Sequence, residues 1–227
     1  MKQVIQIRCK NNKKSQKVEI GSTLFDIFSA FDLKMTHGPV SARVNNKVEG
    51  MHYRVYNSKD VEFLDMTSSS GSRAYTRTLF FVLCKAVQDI YPATDVVIDI
   101  PVSNGFYVDI RLGRPVVDED VNIIRRRMQE IIDARMPIRR FTVPTEEAVA
   151  LFQEKGDVEK VKLLKTSGSI YTTYYKIGDY VDYYYGTLLT NTSQLYLFGL
   201  EKYYDGMLLR IPSLKNPDVL GEMTRQD

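Results

Sequence analysis

Residues 67–92, TSSSGSRAYTRTLFFVLCKAVQDIYP, join a polar run of small residues to an amphipathic stretch that ends at a proline. The run Thr67–Ser72 is typical of a linker, because serine and glycine favour flexible chain. From Arg73 onward apolar residues recur every three or four positions, which predicts a helix with one buried face. Proline cannot continue such a helix, so we expect it to end before Pro92.

This pattern predicts two folded units, residues 1–67 and 73–227, joined by a linker at 68–72. A chain of 227 residues with 44% hydrophobic and 26% charged residues has the ordinary composition of a folded protein. No apolar run approaches the roughly 20 residues that span a bilayer. The first residues alternate polar and apolar and do not form the apolar core of a signal peptide. We therefore expect a cytoplasmic protein with no membrane partner.

The first unit shows strand and helix patterns in a short segment. Strands are predicted at Gln3–Ile7, Gln16–Ile20, Ser41–Val44, His52–Val55 and Val61–Leu64, and a helix at Leu24–Phe31. A single helix among several short strands packs on one face of a small sheet. We therefore expect a ubiquitin-like β-grasp domain.

In the second unit the helix patterns come mostly early and the strand patterns mostly late, which favours a larger α+β domain with a mixed or antiparallel sheet. Helices are predicted at Arg73–Tyr91, Asp118–Met136, Thr145–Lys155 and Asp157–Lys165. Strands are predicted at Val96–Ile100, Phe106–Ile110, Ile138–Val143, Tyr171–Tyr175, Tyr180–Tyr185, Leu195–Leu200 and Gly206–Ile211.

Histidine and cysteine are scarce. The chain has two of each, namely Cys9, His37, His52 and Cys84. None of them stands in a Cys-x-x-Cys or His-x-x-x-His spacing, which zinc sites commonly use. Two cysteines also cannot build a disulfide framework. We therefore expect neither a metal nor another cofactor in this chain.

The first unit resembles a known module. The segments Val18–Ile27, Ala42–Asn46 and Val61–Leu64 are similar, in order and spacing, to the TGS domain. That domain is shared by threonyl-tRNA synthetases, certain GTPases and SpoT-type proteins. The resemblance implies the same β-grasp fold that the strand and helix patterns predict.

The second unit resembles the second additional domain of threonyl-tRNA synthetases, which is shared with alanyl-tRNA editing proteins. The similarity includes Ala86–Pro92, Ser103–Asp109, Ala148–Phe152 and Asp179–Asp182, followed by Gly186. In that family the domain hydrolyses mischarged tRNA. The family uses a His-x-x-x-His on the first helix and a Cys-x-x-x-His after a Tyr-Val-Asp segment.

Those four positions are occupied here by residues that do not suit the reaction. The first pair falls on Arg77 and Phe81, and the second on Tyr184 and Leu188. Phenylalanine and leucine cannot bind a metal, and arginine stays protonated. Only Asp182 stands where the family has its aspartate. The resemblance therefore implies an editing-like pocket without catalytic residues.

A TGS module followed by such a degenerate domain also resembles the N-terminal part of bacterial uridine kinase-like proteins of the Bacteroides type. This chain has no Gly-x-x-x-x-Gly-Lys phosphate loop, so ATP and magnesium are expected only for a kinase domain downstream. The main expectation is thus a non-catalytic recognition or regulatory region. Its partners would be an RNA, a nucleotide or the downstream catalytic domain, and its oligomeric state stays open.

Two alternatives remain. One is a threonyl-tRNA synthetase-like module that binds or edits aminoacyl-tRNA, with residual ester hydrolysis by Asp182 and water. The other is a structural spacer or dimerisation module.

Two groups of residues are candidates for ligand or RNA contacts. One is a basic turn, formed by Lys10, Lys13, Lys14 and Lys17, that could contact phosphates or simply be solvated. The other is a tyrosine-rich region, since ten of the 15 tyrosines lie within residues 171–204. Strand alternation places Tyr183 and Tyr185 on one face and Tyr184 on the other. Such tyrosines either stack on bases or pack within the sheet.

Overall fold

The computed structural model describes residues 3–102 and 104–222, with the side chain of Ile100 excepted. Expectations for residues 1–2, 103 and 223–227 therefore lie outside the described residues. Among the described helices, none is both long enough and apolar enough to cross a membrane.

The N-terminal part is a five-stranded sheet with one short helix. Its elements are β1 (Val4–Cys9), β2 (Ser15–Glu19), α1 (Leu24–Ala30), β3 (Ser41–Val44), β4 (Lys47–Glu49) and β5 (Lys59–Leu64). The strand order is β2-β1-β5-β3-β4, and β1 runs parallel to β5. Thr23 caps α1, because its hydroxyl accepts from the Asp26 N–H at 3.1 Å and the Asp26 carboxylate accepts from the Thr23 N–H. This is the predicted β-grasp arrangement.

Among its described residues, the larger part contains four α-helices, a short 3-10 helix at Thr192–Gln194 and two antiparallel sheets. Its elements are α2 (Ser69–Ile90), β6 (Val96–Val102), β7 (Gly105–Ile110), α3 (Asp118–Asp133), β8 (Arg139–Pro144), α4 (Thr145–Glu154), α5 (Val158–Thr166), β9 (Tyr171–Ile177), β10 (Tyr180–Tyr183), β11 (Gly199–Tyr203) and β12 (Gly206–Arg210). The sheet orders are β10-β9-β8 and β11-β12-β7-β6. The α+β fold class is confirmed.

Residues 68–72, predicted as a linker, instead begin helix α2. The Ser68 hydroxyl accepts a hydrogen bond from the Gly71 N–H at 3.0 Å and caps the helix. Gly71 lies so close to the Asp65 carbonyl and to Val40 that a Cβ would not fit there. The small residues therefore allow close packing between the two parts of the chain.

The strand predicted at His52–Val55 is wrong. That segment makes only an isolated bridge, between Thr23 and Arg54, and β4 lies earlier, at Lys47–Glu49. Val55 is buried, so its apolar character reports packing in the core and not membership of the sheet.

The strand predicted at Leu195–Leu200 is also largely wrong, because only Gly199 and Leu200 belong to β11. The Tyr75 hydroxyl donates to the Leu197 carbonyl at 2.7 Å and accepts from the Leu197 N–H at 3.0 Å. A side chain from α2 therefore replaces the neighbouring strand as hydrogen-bond partner of this segment.

Helix α2 lies at the centre of the largest hydrophobic cluster. Its buried side chains, such as Leu79 and Phe81, contact residues of both sheets of the larger part, and Val40 and Met66 join the same cluster. The N-terminal part is held further by His37, whose ring stacks on Tyr196 at 3.5 Å. The two parts therefore share a packed interface, and the candidate site lies beside it.

Candidate functional site

The three-stranded sheet presents a row of polar side chains towards α2. Arg140 of β8 lies opposite Tyr175 of β9, and Tyr175 lies opposite Asp182 of β10. Residues directly opposite each other in neighbouring strands place their side chains on the same face. Tyr180, two residues before Asp182, lies on that face as well, and its ring contacts Phe81 of α2 at 5.2 Å.

Asp182 is only 5% exposed, and both of its carboxylate oxygens are bonded. Oδ1 lies 2.9 Å from Lys160 Nζ and accepts from the Tyr183 N–H at 2.7 Å. Oδ2 accepts from the Tyr180 hydroxyl at 2.9 Å. A buried carboxylate that already accepts from an amine, a hydroxyl and a backbone N–H has little free capacity to accept a proton from water.

Lys160 is a residue of this site that sequence reasoning missed. Its amine also bonds to Asp157 Oδ2 at 2.8 Å. Burial opposes the charged amine, but the charges and hydrogen bonds of Asp182 and Asp157 outweigh it and raise the pKa of Lys160. Asp157 caps α5 and lies three residues before Lys160, a spacing that predicts the Asp157–Lys160 pair. No sequence pattern indicates the pair with Asp182.

The four predicted pocket positions come together around α2. Phe81 is fully buried, and its ring contacts that of Tyr184 edge-on at 5.9 Å. Leu188 is buried in the same hydrophobic cluster. Arg77 lies against Gly186, because a Cβ on that glycine would be 2.6 Å from Arg77 Nη1. The resemblance therefore placed these residues in one region.

Neither the phenol nor the thiol of this region ionises readily. Burial raises the pKa of Tyr184 well above its usual range, and nearby Cys84 and Asp182 add to the effect. Burial raises the pKa of the Cys84 thiol to about 12. Cys84 lies seven residues after Arg77, about two helical turns along the same face, and that spacing could have placed it here.

A cleft of about 320 Å³ opens beside this cluster. Strand β4 (Lys47–Glu49) forms one wall, and residues 183–187 and 171–173 form the other. Arg140, Ser167 and Ser169 complete the lining. The cleft is thus surrounded by tyrosine rings, hydroxyl groups and cationic side chains.

Of the predicted ligand contacts, the structure brings the tyrosines to the cleft. Tyr183 and Tyr185 both line it, and their rings lie 5.4 Å apart. The basic residues Lys10, Lys13, Lys14 and Lys17 are exposed near the turn between β1 and β2, and none is among the described residues of the cleft wall.

Metal ligands are not grouped in the parts of the chain that the structure describes. Within residues 3–102 and 104–222, no cluster of three or more His, Cys, Asp or Glu side chains could hold a metal ion. His52 lies near Arg140, and burial lowers its pKa, with a further contribution from the charge of Arg140.

No family model matches the chain. Among curated proteins, the threonine–tRNA ligase of Syntrophotalea carbinolica is 30% identical over 204 residues, which is 85% of this chain and 32% of the ligase. The ligase of Clostridium kluyveri is 30% identical over 84% of this chain and 30% of its own length. That of Acetivibrio thermocellus is 29% identical over 79% and 28%.

The chain is therefore similar to part of these threonine–tRNA ligases. It spans about 30% of the length of the ligases that it matches. These relatives favour the synthetase-like alternative and give the uridine kinase-like interpretation no support. The TGS resemblance of residues 1–67 and the cytoplasmic location remain predictions.

Proposed function

We propose that this threonine–tRNA-ligase-like chain binds the 3′ end of a tRNA in the cleft beside residues 183–187 without hydrolysing its ester. The observation that carries the proposal is the state of Asp182, whose carboxylate is saturated by Lys160, Tyr180 and the Tyr183 N–H. The cleft is open to a ligand, whereas the Asp182 carboxylate next to it is not free to act as a general base.

The lining of the cleft supports RNA binding. Tyrosine rings such as Tyr183 and Tyr185 can stack on bases without reading their sequence. The hydroxyl groups of Thr172 and Thr187 can hydrogen-bond to ribose. Arg140 adds a cation suited to a phosphate.

The same region argues against hydrolysis. A general base must lie within hydrogen-bond reach of the attacking water and must be able to take its proton. Lys160 is held protonated by two carboxylates, and the raised pKa values of Cys84 and Tyr184 keep both groups protonated near neutral pH. None of these groups can activate water. The remaining candidate base is Asp182, whose carboxylate already accepts from its three donors.

Two assays on the whole chain test this function. Fluorescence anisotropy with a labelled acceptor-stem hairpin should show binding that weakens in Tyr185→Ala, whose ring is 75% exposed at the cleft. Tyr204→Ala is the matched control, because that ring is 79% exposed but lies between β11 and β12. Loss of one stacked base should weaken binding by roughly tenfold. Equal effects of the two variants would contradict the proposal.

Deacylation of mischarged threonine tRNA tests the absence of hydrolysis. We expect the ester to decay at the rate seen in buffer. Turnover that disappears in Asp182→Ala would show residual catalysis. The DNA immediately downstream is a separate test, since class II synthetase motifs there would support this proposal and a P-loop sequence would support the kinase interpretation.

A further inference from the structure

The charges around the cleft do not balance. Asp182 is neutralised by Lys160 at 2.9 Å, and Glu49 by Lys47 at 3.0 Å. Arg140 Nη1 lies 4.0 Å from the other oxygen of Glu49, an ion pair longer than a hydrogen bond. Glu49 is therefore shared by Lys47 and Arg140, and one positive charge remains in excess at the cleft.

Arg77 adds a second uncompensated charge. Among the described residues it has neither a carboxylate partner nor a hydrogen-bond acceptor, although the side chain is half-buried. Burial lowers the pKa of this guanidinium, and the charge of nearby Arg73 acts in the same direction. Arginine nevertheless stays protonated, so a cation stands here without an anion.

Tyr175 lies between the two arginines. Its hydroxyl donates to the Gly186 carbonyl at 3.0 Å, and Gly186 both lines the cleft and contacts Arg77. Burial raises the pKa of Tyr175, and the charges of Arg140 and Arg77 act against that rise. Arg140 is also the residue opposite Tyr175 in β8, so Tyr175 connects the strand that carries Arg140 with the glycine against which Arg77 lies.

We propose that the Gly186 end of the cleft is a phosphate-binding subsite, in which Arg77 and Arg140 hold the phosphate group of a nucleotide. A guanidinium offers paired N–H donors that match phosphate oxygens, and a ligand phosphate supplies the missing negative charge. The proposal deepens the proposed function, because it assigns a ligand group to the same cleft. Neutral or cationic ligands gain nothing from this end of the site.

Isothermal titration of the whole chain with adenosine, 3′-AMP, 5′-AMP and inorganic phosphate tests the subsite. A monophosphate should bind about tenfold tighter than adenosine, as expected for one additional charge-assisted pair. Comparison of the 3′ and 5′ isomers shows which phosphate is held, and inorganic phosphate shows whether the nucleoside is needed. The preference should weaken with added salt.

Arg77→Gln and Arg140→Gln should each remove most of the preference for phosphate. Arg139→Gln is the matched control, because Arg139 is exposed on the same strand and neighbouring strand residues point to opposite faces. Thermal unfolding of each variant should show that the fold is retained. Adenosine binding as tight as monophosphate binding, or an equal loss in Arg139→Gln, would overturn the subsite.

The two proposals fail differently. If the RNA hairpin binds but phosphate brings no preference, the tRNA-end function survives and the phosphate subsite is wrong. If monophosphates bind in an Arg77-dependent way and the hairpin does not, the subsite survives and the tRNA-end function is wrong.

Discussion

The two ends of the candidate site treat buried charge in opposite ways. At one end, Asp182 has a counter-charge from Lys160 and two further hydrogen-bond donors. At the other end, Arg77 lies against Gly186 with no acceptor among the described residues. A buried charge is stabilising only when the surrounding structure compensates it.

The difference separates a structural role from a binding role. Lys160 belongs to α5 and Asp182 to β10, so their pair ties the α4–α5 hairpin to the edge of the sheet. Among the described residues, no ion pair or hydrogen bond joins the Arg77 side chain to another part of the chain. Substitutions at the first end should therefore affect stability, and substitutions at the second end should affect binding.

The largest effect is expected for Lys160→Met, which leaves the Asp182 charge buried without its counter-charge. The free energy of unfolding should fall by about 3 kcal/mol in urea titration, because breaking a buried pair exposes the cost of the remaining charge. Lys162→Met, an exposed position on the same helix, should change it by less than about 0.5 kcal/mol. Adding Asp182→Asn to Lys160→Met should recover part of the loss. Equal effects of the two lysine variants would contradict the structural role.

Gly186→Ala should have the next largest effect. Gly186 has φ +96°, and an added Cβ would lie 2.6 Å from Arg77 Nη1. We expect a loss of about 2 kcal/mol in the free energy of unfolding, mainly from backbone strain, with a smaller part from displacing the flexible Arg77 guanidinium.

Gly168→Ala is the control for strain alone, since Gly168 has φ +65° and nothing within 4 Å of an added Cβ. Its loss should be smaller, about 1 kcal/mol. Arg77→Ala combined with Gly186→Ala should recover only the steric part. A loss no greater than that of Gly168→Ala would show that Arg77 yields freely.

A pH-dependent effect is expected at the Arg140 end. Burial and the charge of Arg140 lower the pKa of His52, so the folded chain binds this proton less readily than the unfolded chain. The contribution of neutral His52 to stability is then lost as pH falls below the ordinary value of about 6.5. His52→Gln should flatten the fall in unfolding free energy between pH 7.5 and 5.5. An unchanged slope of unfolding free energy against pH in that variant would contradict the prediction. His37→Gln is the control and should keep the wild-type slope.

The smallest effect is expected for Arg77→Gln. Because the described structure gives Arg77 no partner to lose, the free energy of unfolding should change by less than about 0.5 kcal/mol. A slight gain in the free energy of unfolding would follow, because the variant no longer carries a partly buried charge. The same burial lowers the pKa of Arg77. Urea titration of the variant and of the wild type measures this change in the free energy of unfolding. A loss above about 2 kcal/mol would mean that Arg77 has a structural role.

Local patterns in the sequence predicted the elements whose apolar face is regular. The amphipathic stripe located α2. Tyr183 and Tyr185 contact each other and Tyr184 contacts Phe81, but β10 ends at Tyr183, so the strand predicted at Tyr180–Tyr185 is two residues too long. The same reasoning failed where a distant group supplied the partner. Thr67–Ser72 became a closely packed helix start, and Leu197 bonded to Tyr75 of α2 in place of a strand.

The sequence by itself determined the α+β class, the β-grasp pattern and the presence of Arg77, Phe81, Tyr184 and Leu188 where a related family has histidines and a cysteine. Those properties follow from residue identity and short-range spacing. Only the tertiary structure decided which charges are compensated. Lys160 and Asp182 are 22 positions apart in the chain, and they meet because α5 packs beside the edge strand β10. Charge compensation depends on distance in space, and that distance is set by how helices and strands pack.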